Sequence, residues 1–315
     1  ATFVAAAVSF HAVELPVRSG ALRGWRSVAV VPTVAGALVA GLLLVTSDAR
    51  PVIAAGGSDR AALADVADPN RPAARALQQQ RAAAEAARPT SVLVVGDSVA
   101  LTVGLGLQET SPANSLVVLN RSKMGCGIIH GGDVWVEGRI QTIRPDCGEW
   151  AFTWPASVAE INPDIVLMLV GAWDAYDRRI DGVDIPFGTP ESDALLTSDL
   201  QTAVDVITSD GTHLALATVP YYDNQYVVNR PPEFRSAFDP GRVDHLNELV
   251  RGIAQANRDH VSILDLHRVV ADAAVSGQPL QDDGVHFGVD NRKRVAELVA
   301  PRLRELGLAA RSVDE

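Results

Sequence analysis

Cysteines and basic residues are scarce in this chain, and both shortages exclude classes of function. Two cysteines, Cys126 and Cys147, are too few for a zinc array or a disulfide-dense miniprotein. Lysine and arginine number 27 against 38 acidic residues, which gives a net charge of -11 at pH 7. Nucleic-acid binding depends on clustered positive charge that neutralises phosphates, so we expect no nucleic-acid partner.

Motifs for nucleotides and metal ions are also missing. The pair Gly104 and Gly106 lacks the third glycine of a dinucleotide-binding loop, and no Gly-x-x-x-x-Gly-Lys motif occurs. No cluster of His, Cys and Glu has the spacing of metal ligands. We therefore predict no metal site in the chain and no cofactor in its soluble domain.

A long apolar run lies near the amino terminus. Residues 27–47 contain no charged side chain, and 28–45 is apolar apart from Pro32, Thr33 and two glycines. A run of this length can cross the hydrocarbon core as a helix, which predicts a transmembrane helix over 27–47. The hydrophobic region of a secretory signal is the alternative, and it would require cleavage near Ala49.

Charged residues on either side give this run a direction. Arg18, Arg23 and Arg26 precede it and Asp48 follows it. The positive-inside rule then places the arginines in the cytoplasm and everything after residue 47 outside. An earlier apolar stretch at 1–10 lacks room for a full span, so we interpret 1–26 as the end of a larger membrane body and a cytoplasmic loop.

Charge and composition divide the rest of the chain. Residues 1–90 carry a net charge of +3 and the remainder carries -14. The segment 48–89 is rich in Ala, Arg, Asp and Pro, and its helical stretch at 73–88 has almost no large apolar side chains. This composition predicts a partly helical linker over 48–89, an acidic soluble domain over 90–309 and a tail over 310–315.

The acidic domain alternates short apolar runs with amphipathic helical patterns. Runs of strand length occur at 91–95, 115–119, 165–170, 213–219 and 261–264. Helical periods occur at 99–108, 193–208, 243–257 and 291–306. Fully apolar strands separated by helices predict an α/β fold with a parallel sheet covered on both faces. Ligands bind at the carboxyl ends of the strands in such folds, so residues just after each strand are candidates for a site.

Ser98 follows the first predicted strand, in the turn Gly96-Asp97-Ser98 that leads into a helix. A serine hydroxyl there lies at the sheet edge, and the helix N-terminus offers free N–H groups to a developing oxyanion. The position suits a nucleophile, although a simple N-cap is the open alternative because serine often fills that role.

A serine nucleophile needs a base that is oriented by an acceptor, and Asp283 and His286 supply a candidate pair. They lie three residues apart across Gly284, in a turn before the last predicted helix. One turn can bring the carboxylate to the imidazole Nδ1–H while Nε2 points at the serine.

These two motifs resemble the first and last blocks of the SGNH hydrolase family, also called GDSL esterases and acyltransferases. The resemblance covers about residues 89–309 and implies a flavodoxin-like, three-layer α/β/α fold. It also implies that Ser98 is the nucleophile, His286 the general base and Asp283 its partner. The family's second block supplies a glycine N–H to the oxyanion hole beside the N–H of the serine, which indicates Gly125, with Gly127 as the second choice.

The third block departs from the family pattern. Members usually carry Gly-x-Asn-Asp, whose Asn donates to the oxyanion, whereas this chain has Gly171-Ala172-Trp173-Asp174. Trp173 can stack on a sugar ring, or it can pack under a loop. Trp173, Asp174 and Tyr222 follow the third and fourth predicted strands and are our candidates for substrate binding.

The membrane part has a resemblance of its own. Residues 9–18, Ser-Phe-His-Ala-Val-Glu-Leu-Pro-Val-Arg, are similar to the end of the last core helix in acyltransferase-3 membrane proteins. Some of those proteins continue through an extra span and a linker into an extracytoplasmic SGNH domain. The likeness implies a membrane acyltransferase body in the same natural chain, acetyl-CoA as the donor used by that body, and a location in the cell membrane with the catalytic domain outside.

Those fusion proteins also carry Gly-Cys in the second block, and Gly125-Cys126 of this chain resembles that pair. Outside the cytoplasm a disulfide between Cys126 and Cys147 is permitted, and two free thiols are the alternative. We therefore predict an extracytoplasmic O-acyltransferase that places an acyl group, acetyl by resemblance, on a glycan hydroxyl. An esterase that uses the same residues and a non-catalytic glycan-binding module stay open as alternatives.

Overall fold

The computed structural model describes residues 72–136, 138–222 and 236–311. The chain divides between Gln78 and Gln79 into two units, and all described strands belong to the second. This division lies inside the segment 48–89 that is predicted to be a linker. The helices are α1 (Pro72–Ala87), α2 (Ser98–Asn114), α3 (Trp150–Ile161), α4 (Pro190–Thr208), α5 (Pro240–Ala256), α6 (Leu266–Val275) and α7 (Val289–Arg311). The strands are β1 (Thr90–Gly96), β2 (Leu116–Asn120), β3 (Asp133–Val136), β4 (Arg139–Thr142), β5 (Ile165–Leu169), β6 (Arg178–Ile180), β7 (Val183–Ile185), β8 (His213–Ala217) and β9 (Val261–Leu264).

The predicted parallel sheet is confirmed. Its strand order is β2-β1-β5-β8-β9, and every neighbouring pair is parallel. All five residues of β5 are buried, because this central strand is covered on both faces. On one face α2 packs against α7, while α3 packs against α4, which in turn contacts α5.

A second, antiparallel sheet of order β4-β3-β6-β7 was not expected from the sequence. Its strands are short, and β4 is exposed at every residue, so none of them forms the continuous apolar run that marks a buried strand. β3 and β4 come from the connection after β2, whereas β6 and β7 come from the connection after β5. The antiparallel sheet therefore joins the two connections that follow neighbouring strands of the main sheet.

The helix predicted near 73–88 corresponds to α1, and the four helical periods of the acidic domain correspond to α2, α4, α5 and α7. The helices α3 and α6 were not predicted. Within the described part of the chain, no helix is both long enough and apolar enough to cross a membrane. The predicted span over 27–47 lies outside the described residues.

Candidate active site

Ser98 lies in the first turn of α2, directly after the carboxyl end of β1. Asp97 is the N-cap, because its Oδ1 accepts hydrogen bonds from the N–H groups of Val99 at 2.8 Å and Ala100 at 3.1 Å. The alternative that Ser98 is only an N-cap is therefore wrong, and its hydroxyl is available for another partner. Gly96 has a φ of +129°, and a Cβ there would lie 2.0 Å from the carbonyl oxygen of Leu169, so the tight turn requires glycine.

The fold brings Ser98, His286 and Asp283 together. His286 Nε2 lies 2.8 Å from Ser98 Oγ, and its Nδ1 lies 2.8 Å from Asp283 Oδ2. An imidazole protonated on Nδ1 donates to the carboxylate and leaves Nε2 free to accept the proton of the serine hydroxyl. Asp283 Oδ1 also accepts the backbone N–H groups of His286 at 2.6 Å and Val285 at 2.9 Å, which fixes the carboxylate within the turn.

These contacts keep Asp283 ionised. Desolvation is the largest influence and acts to raise the pKa of Asp283, but the hydrogen bonds from the backbone and ring of His286 and from Val285 outweigh it, so the pKa is lowered. A carboxylate that stays charged at neutral pH orients the imidazole and stabilises its protonated form during proton transfer.

The second predicted block forms part of a loop after β2, which we call the β2 loop (residues 121–129). Its start is bound to β1, because the N–H groups of Arg121 and Lys123 donate to the carbonyl oxygens of Val94 at 2.8 Å and Gly96 at 2.7 Å. Gly125 has a φ of +74°, and the atom nearest to a Cβ built there is Trp173 Cζ2, at 3.8 Å. Cys126 and Cys147 form a disulfide that ties the β2 loop to the residues before α3.

Gly127 lies against Asp174. A Cβ at Gly127 would lie 2.4 Å from Asp174 Oδ1, so a larger residue would push the two segments apart. The backbone of Gly125 lies next to the indole of Trp173, and Gly125 stays our first candidate for an oxyanion donor, with Gly127 as the second.

The three candidate substrate-binding residues have different surroundings. Trp173 is half-buried and meets the ring of Tyr176 edge-on at a centroid distance of 5.8 Å. Asp174 has no exposed surface, and its Oδ1 accepts the N–H groups of Ile128 at 2.7 Å and Ile129 at 3.2 Å. Tyr222 is buried against Phe238, and burial raises the pKa of its phenol well above the usual value.

Of the three side chains, Trp173 has the most exposed surface. Asp174 holds the backbone of the β2 loop and Tyr222 packs against Phe238, and their role in substrate binding stays a prediction. Asp174 Oδ1 has these backbone partners, whereas Asp174 Oδ2 and the Tyr222 hydroxyl are buried without a hydrogen-bond partner among the described residues, which is costly for a polar group.

Two residues of the site were missed from the sequence. Asp97 is buried, and desolvation followed by the nearby charge of Asp174 raises its pKa to about 7. Its place before Ser98 is the signal that identifies it as the cap. Arg178 is buried at 3% side-chain exposure, with its Nη2 lying 3.8 Å from Asp174 Oδ1. No feature of the local sequence marks this arginine, because its position depends on the pairing of β6 with β3.

A cavity of about 200 Å³ lies beside these residues. The disulfide, Trp150, Trp154 and Leu169 supply much of its wall, and Gly96 and Asp97 border it on the side next to Ser98. Over the part of the chain that the structure describes, no group of three or more His, Cys, Asp or Glu side chains could hold a metal ion.

Comparison with known proteins shows the family of the chain. Residues 64–301 match the family model described as the SGNH domain (fused to AT3 domains). No curated protein sequence matches the chain significantly.

Solved structures similar to this chain include a protein described as a GDSL-like lipase from Parabacteroides merdae ATCC 43184. It has 16% sequence identity and a TM-score of 0.46, and the match covers 70% of this chain and 97% of that one. TesA has 19% identity and a TM-score of 0.43, with 69% and 99% covered. The acetylxylan esterase Axe2 from Geobacillus stearothermophilus has 19% identity and a TM-score of 0.42, with 71% and 96% covered.

Proposed function

Because this chain belongs to the SGNH domain family of the kind fused to AT3 domains, and is a serine esterase or acyltransferase, we propose that it is an extracytoplasmic O-acyltransferase that acetylates a glycan hydroxyl. The observation that carries the proposal is the continuous hydrogen-bonded series Asp283, His286 and Ser98 at the carboxyl edge of the sheet. The fusion recorded for the family supports a membrane acyltransferase body as the partner that supplies the acyl group.

The first half-reaction forms an acyl-enzyme. His286 Nε2 takes the proton of the Ser98 hydroxyl while Oγ attacks the carbonyl carbon of the acyl donor. The carbonyl oxygen becomes an oxyanion, which the N–H groups of Ser98 and Gly125 are placed to stabilise in our proposal. The leaving group departs with the proton from His286, and the acyl group stays on Oγ as an ester.

The second half-reaction transfers the acyl group. A glycan hydroxyl gives its proton to His286 Nε2 and attacks the ester carbon, and a second oxyanion forms in the same place. When it collapses, Ser98 Oγ leaves and recovers the proton from His286. Trp173 stands beside Gly125, where its half-buried indole can stack on the acceptor sugar.

Acetyl-CoA enters this proposal only as the donor used by the membrane body on the cytoplasmic side. The arginines before residue 27 and the acidic residue after the apolar run support that topology, since positive charge stays inside. The soluble domain would then receive the acetyl group outside the cytoplasm.

An esterase is the second candidate, because the same residues can pass the acyl group to water. The half-buried Trp173 beside Gly125 favours a sugar acceptor over water in our proposal, since an aromatic face suits a flat, partly apolar ligand. A glycan-binding module without catalysis is the third candidate, and it predicts that Ser98 is dispensable.

The experiment that tests the proposal compares Ser98→Ala with Ser198→Ala, which is the same change at an exposed position of α4. Cells that carry each variant of the full chain are analysed by mass spectrometry of surface glycans. We expect Ser98→Ala to abolish glycan acetylation and Ser198→Ala to keep it.

Purified protein separates the alternatives. After reaction with p-nitrophenyl acetate, an acetyl group on the Ser98 peptide is expected, and added oligosaccharide should discharge it faster than water does. Discharge by water alone would favour the esterase, and unchanged glycan acetylation by Ser98→Ala would sink the catalytic role.

A further inference from the structure

Arg178 is a buried cation in the middle of the connection that follows β5. Its side chain is 3% exposed, and its Nη1 donates to the carbonyl oxygen of Gly131 at 3.2 Å. Its Nη2 donates to the carbonyl oxygen of Trp173 at 3.2 Å and lies 3.8 Å from Asp174 Oδ1. One guanidinium thus contacts Gly131, which lies just after the β2 loop, and both Trp173 and Asp174 of the third block.

Asp174 extends this contact into the β2 loop itself. Its Oδ1 accepts the N–H groups of Ile128 and Ile129, and the backbone of Gly127 packs directly against the same oxygen. The Asp174 carboxylate, which contacts three consecutive residues of the β2 loop, therefore links Arg178 to the loop that contains Gly125.

The burial of this ion pair weakens its contribution to stability. Burial raises the pKa of Asp174 and lowers the pKa of Arg178, and in each case the charge of the other residue opposes the shift. A buried ion pair is often no more stabilising than well-packed apolar residues of the same volume, because both charges lose their hydration.

We propose that Arg178 is a positioning residue for acyl transfer, which holds Asp174 and Trp173 so that the N–H of Gly125 stays in line with the oxyanion that forms at Ser98. This inference rests on the proposed function of Ser98. Arg178 does not touch the reacting atoms. It acts through the carboxylate of Asp174, which shapes the β2 loop, and through the carbonyl of Trp173, which sets the place of the indole.

The first test compares Arg178→Met with Arg179→Met in the full chain. Arg179 is the next residue on β6 and pairs at the surface with Asp184, so it is a matched control. With p-nitrophenyl acetate we expect Arg178→Met to lower kcat by about 10- to 100-fold with KM nearly unchanged, because misplacement of an oxyanion donor affects the transition state and not substrate binding. Arg179→Met should keep the kcat of the unchanged protein.

A second variant separates positioning from stability. Arg178→Met alone leaves Asp174 buried without its cation, which lowers Tm, whereas Arg178→Met with Asp174→Asn removes both charges and keeps an amide oxygen for Ile128 and Ile129. We expect the double variant to recover Tm but not kcat, because the carbonyls of Gly131 and Trp173 still lack their donor.

Recovery of both kcat and Tm in the double variant would show that Arg178 contributes only to the stability of the core, and it would overturn the inference. A double variant that fails to fold would do the same. If the unchanged protein forms no acyl-enzyme on Ser98, the proposed function fails first, and that result is distinct from both outcomes.

Discussion

Asp97 shows how one side chain can link the fold to the site. It caps α2 and thereby sets the position of Ser98, yet it is buried close to Asp174 and carries a pKa raised to about 7. A carboxyl whose pKa is higher in the folded state than in the unfolded state binds its proton more tightly when folded. Its contribution to stability is therefore present at pH values below about 4 and is lost as the pH rises through about 7.

We predict that Asp97→Asn removes this pH dependence while it keeps an oxygen for the cap. The variant should have a higher Tm than the unchanged protein at pH 8, with a difference in unfolding free energy of up to roughly 4 kcal/mol, and the difference should shrink at pH 5. Circular dichroism at the two pH values measures both Tm values. Asp259→Asn, at an exposed position, is the control and should change neither; equal effects of the two variants would contradict the prediction.

At the scale of elements, the β2 loop depends on three anchors. Its beginning is bound to β1, its end is bound to Asp174, and its middle is tied to Cys147 by the disulfide, with the two cysteines 21 positions apart in sequence. The disulfide therefore closes the loop segment that contains β3 and β4, whose strands are too short to hold themselves.

We predict that Cys126→Ser with Cys147→Ser lowers the free energy of unfolding by about 3 kcal/mol, which is the chain-entropy value for a loop of this length. The kcat with p-nitrophenyl acetate should fall as well, because Gly125 adjoins Cys126. Denaturant unfolding and steady-state kinetics provide the two measurements. Dithiothreitol should reproduce both effects in the unchanged protein and have none in the double variant.

At the scale of the whole molecule, the residues just before β1 and the end of α7 meet at the amino edge of the parallel sheet. Arg311, near the end of α7, donates to Asp164, which precedes β5, and Arg88, which precedes β1, donates to the same carboxylate. Desolvation is the largest influence on Asp164, but its bonds to Arg311, Ser91 and Arg88 outweigh it and hold its pKa far below the usual value. Ser98 lies at the opposite, carboxyl edge of the same sheet.

Because the two edges are separate, Arg311→Met should destabilise the fold and spare the site. We expect a loss of about 1.5–3 kcal/mol in unfolding free energy, the usual contribution of hydrogen bonds to a charged group, because Asp164 keeps Arg88 and Ser91, and kcat should be unchanged. Arg302→Met on the same helix breaks only a surface pair with Glu305 and should cost under ~1 kcal/mol. A fall in kcat that matches the stability loss would show that the two edges are coupled.

The sequence by itself determined the five strands of the parallel sheet and four helices of the acidic domain as segments of the chain, and it singled out Ser98, Asp283 and His286. Apolar runs, helical periods and turn residues are local, so they can be read without knowing which segments meet. The contact between Asp283 and His286 is local as well, because the two residues are three positions apart within one turn.

Only the tertiary structure decided which distant segments of the chain lie next to each other. Ser98 and His286 are 188 positions apart, and β1 lies between β2 and β5, so the site exists only after the strands have assembled. The pairing of β3 with β6 creates the antiparallel sheet and determines the place of Arg178 and the burial of Asp174. Neither strand carries a periodic sequence pattern that would predict this pairing. Local sequence encodes the elements because neighbouring residues share one backbone, whereas contacts between distant segments are decided by packing and charge burial in the completed fold.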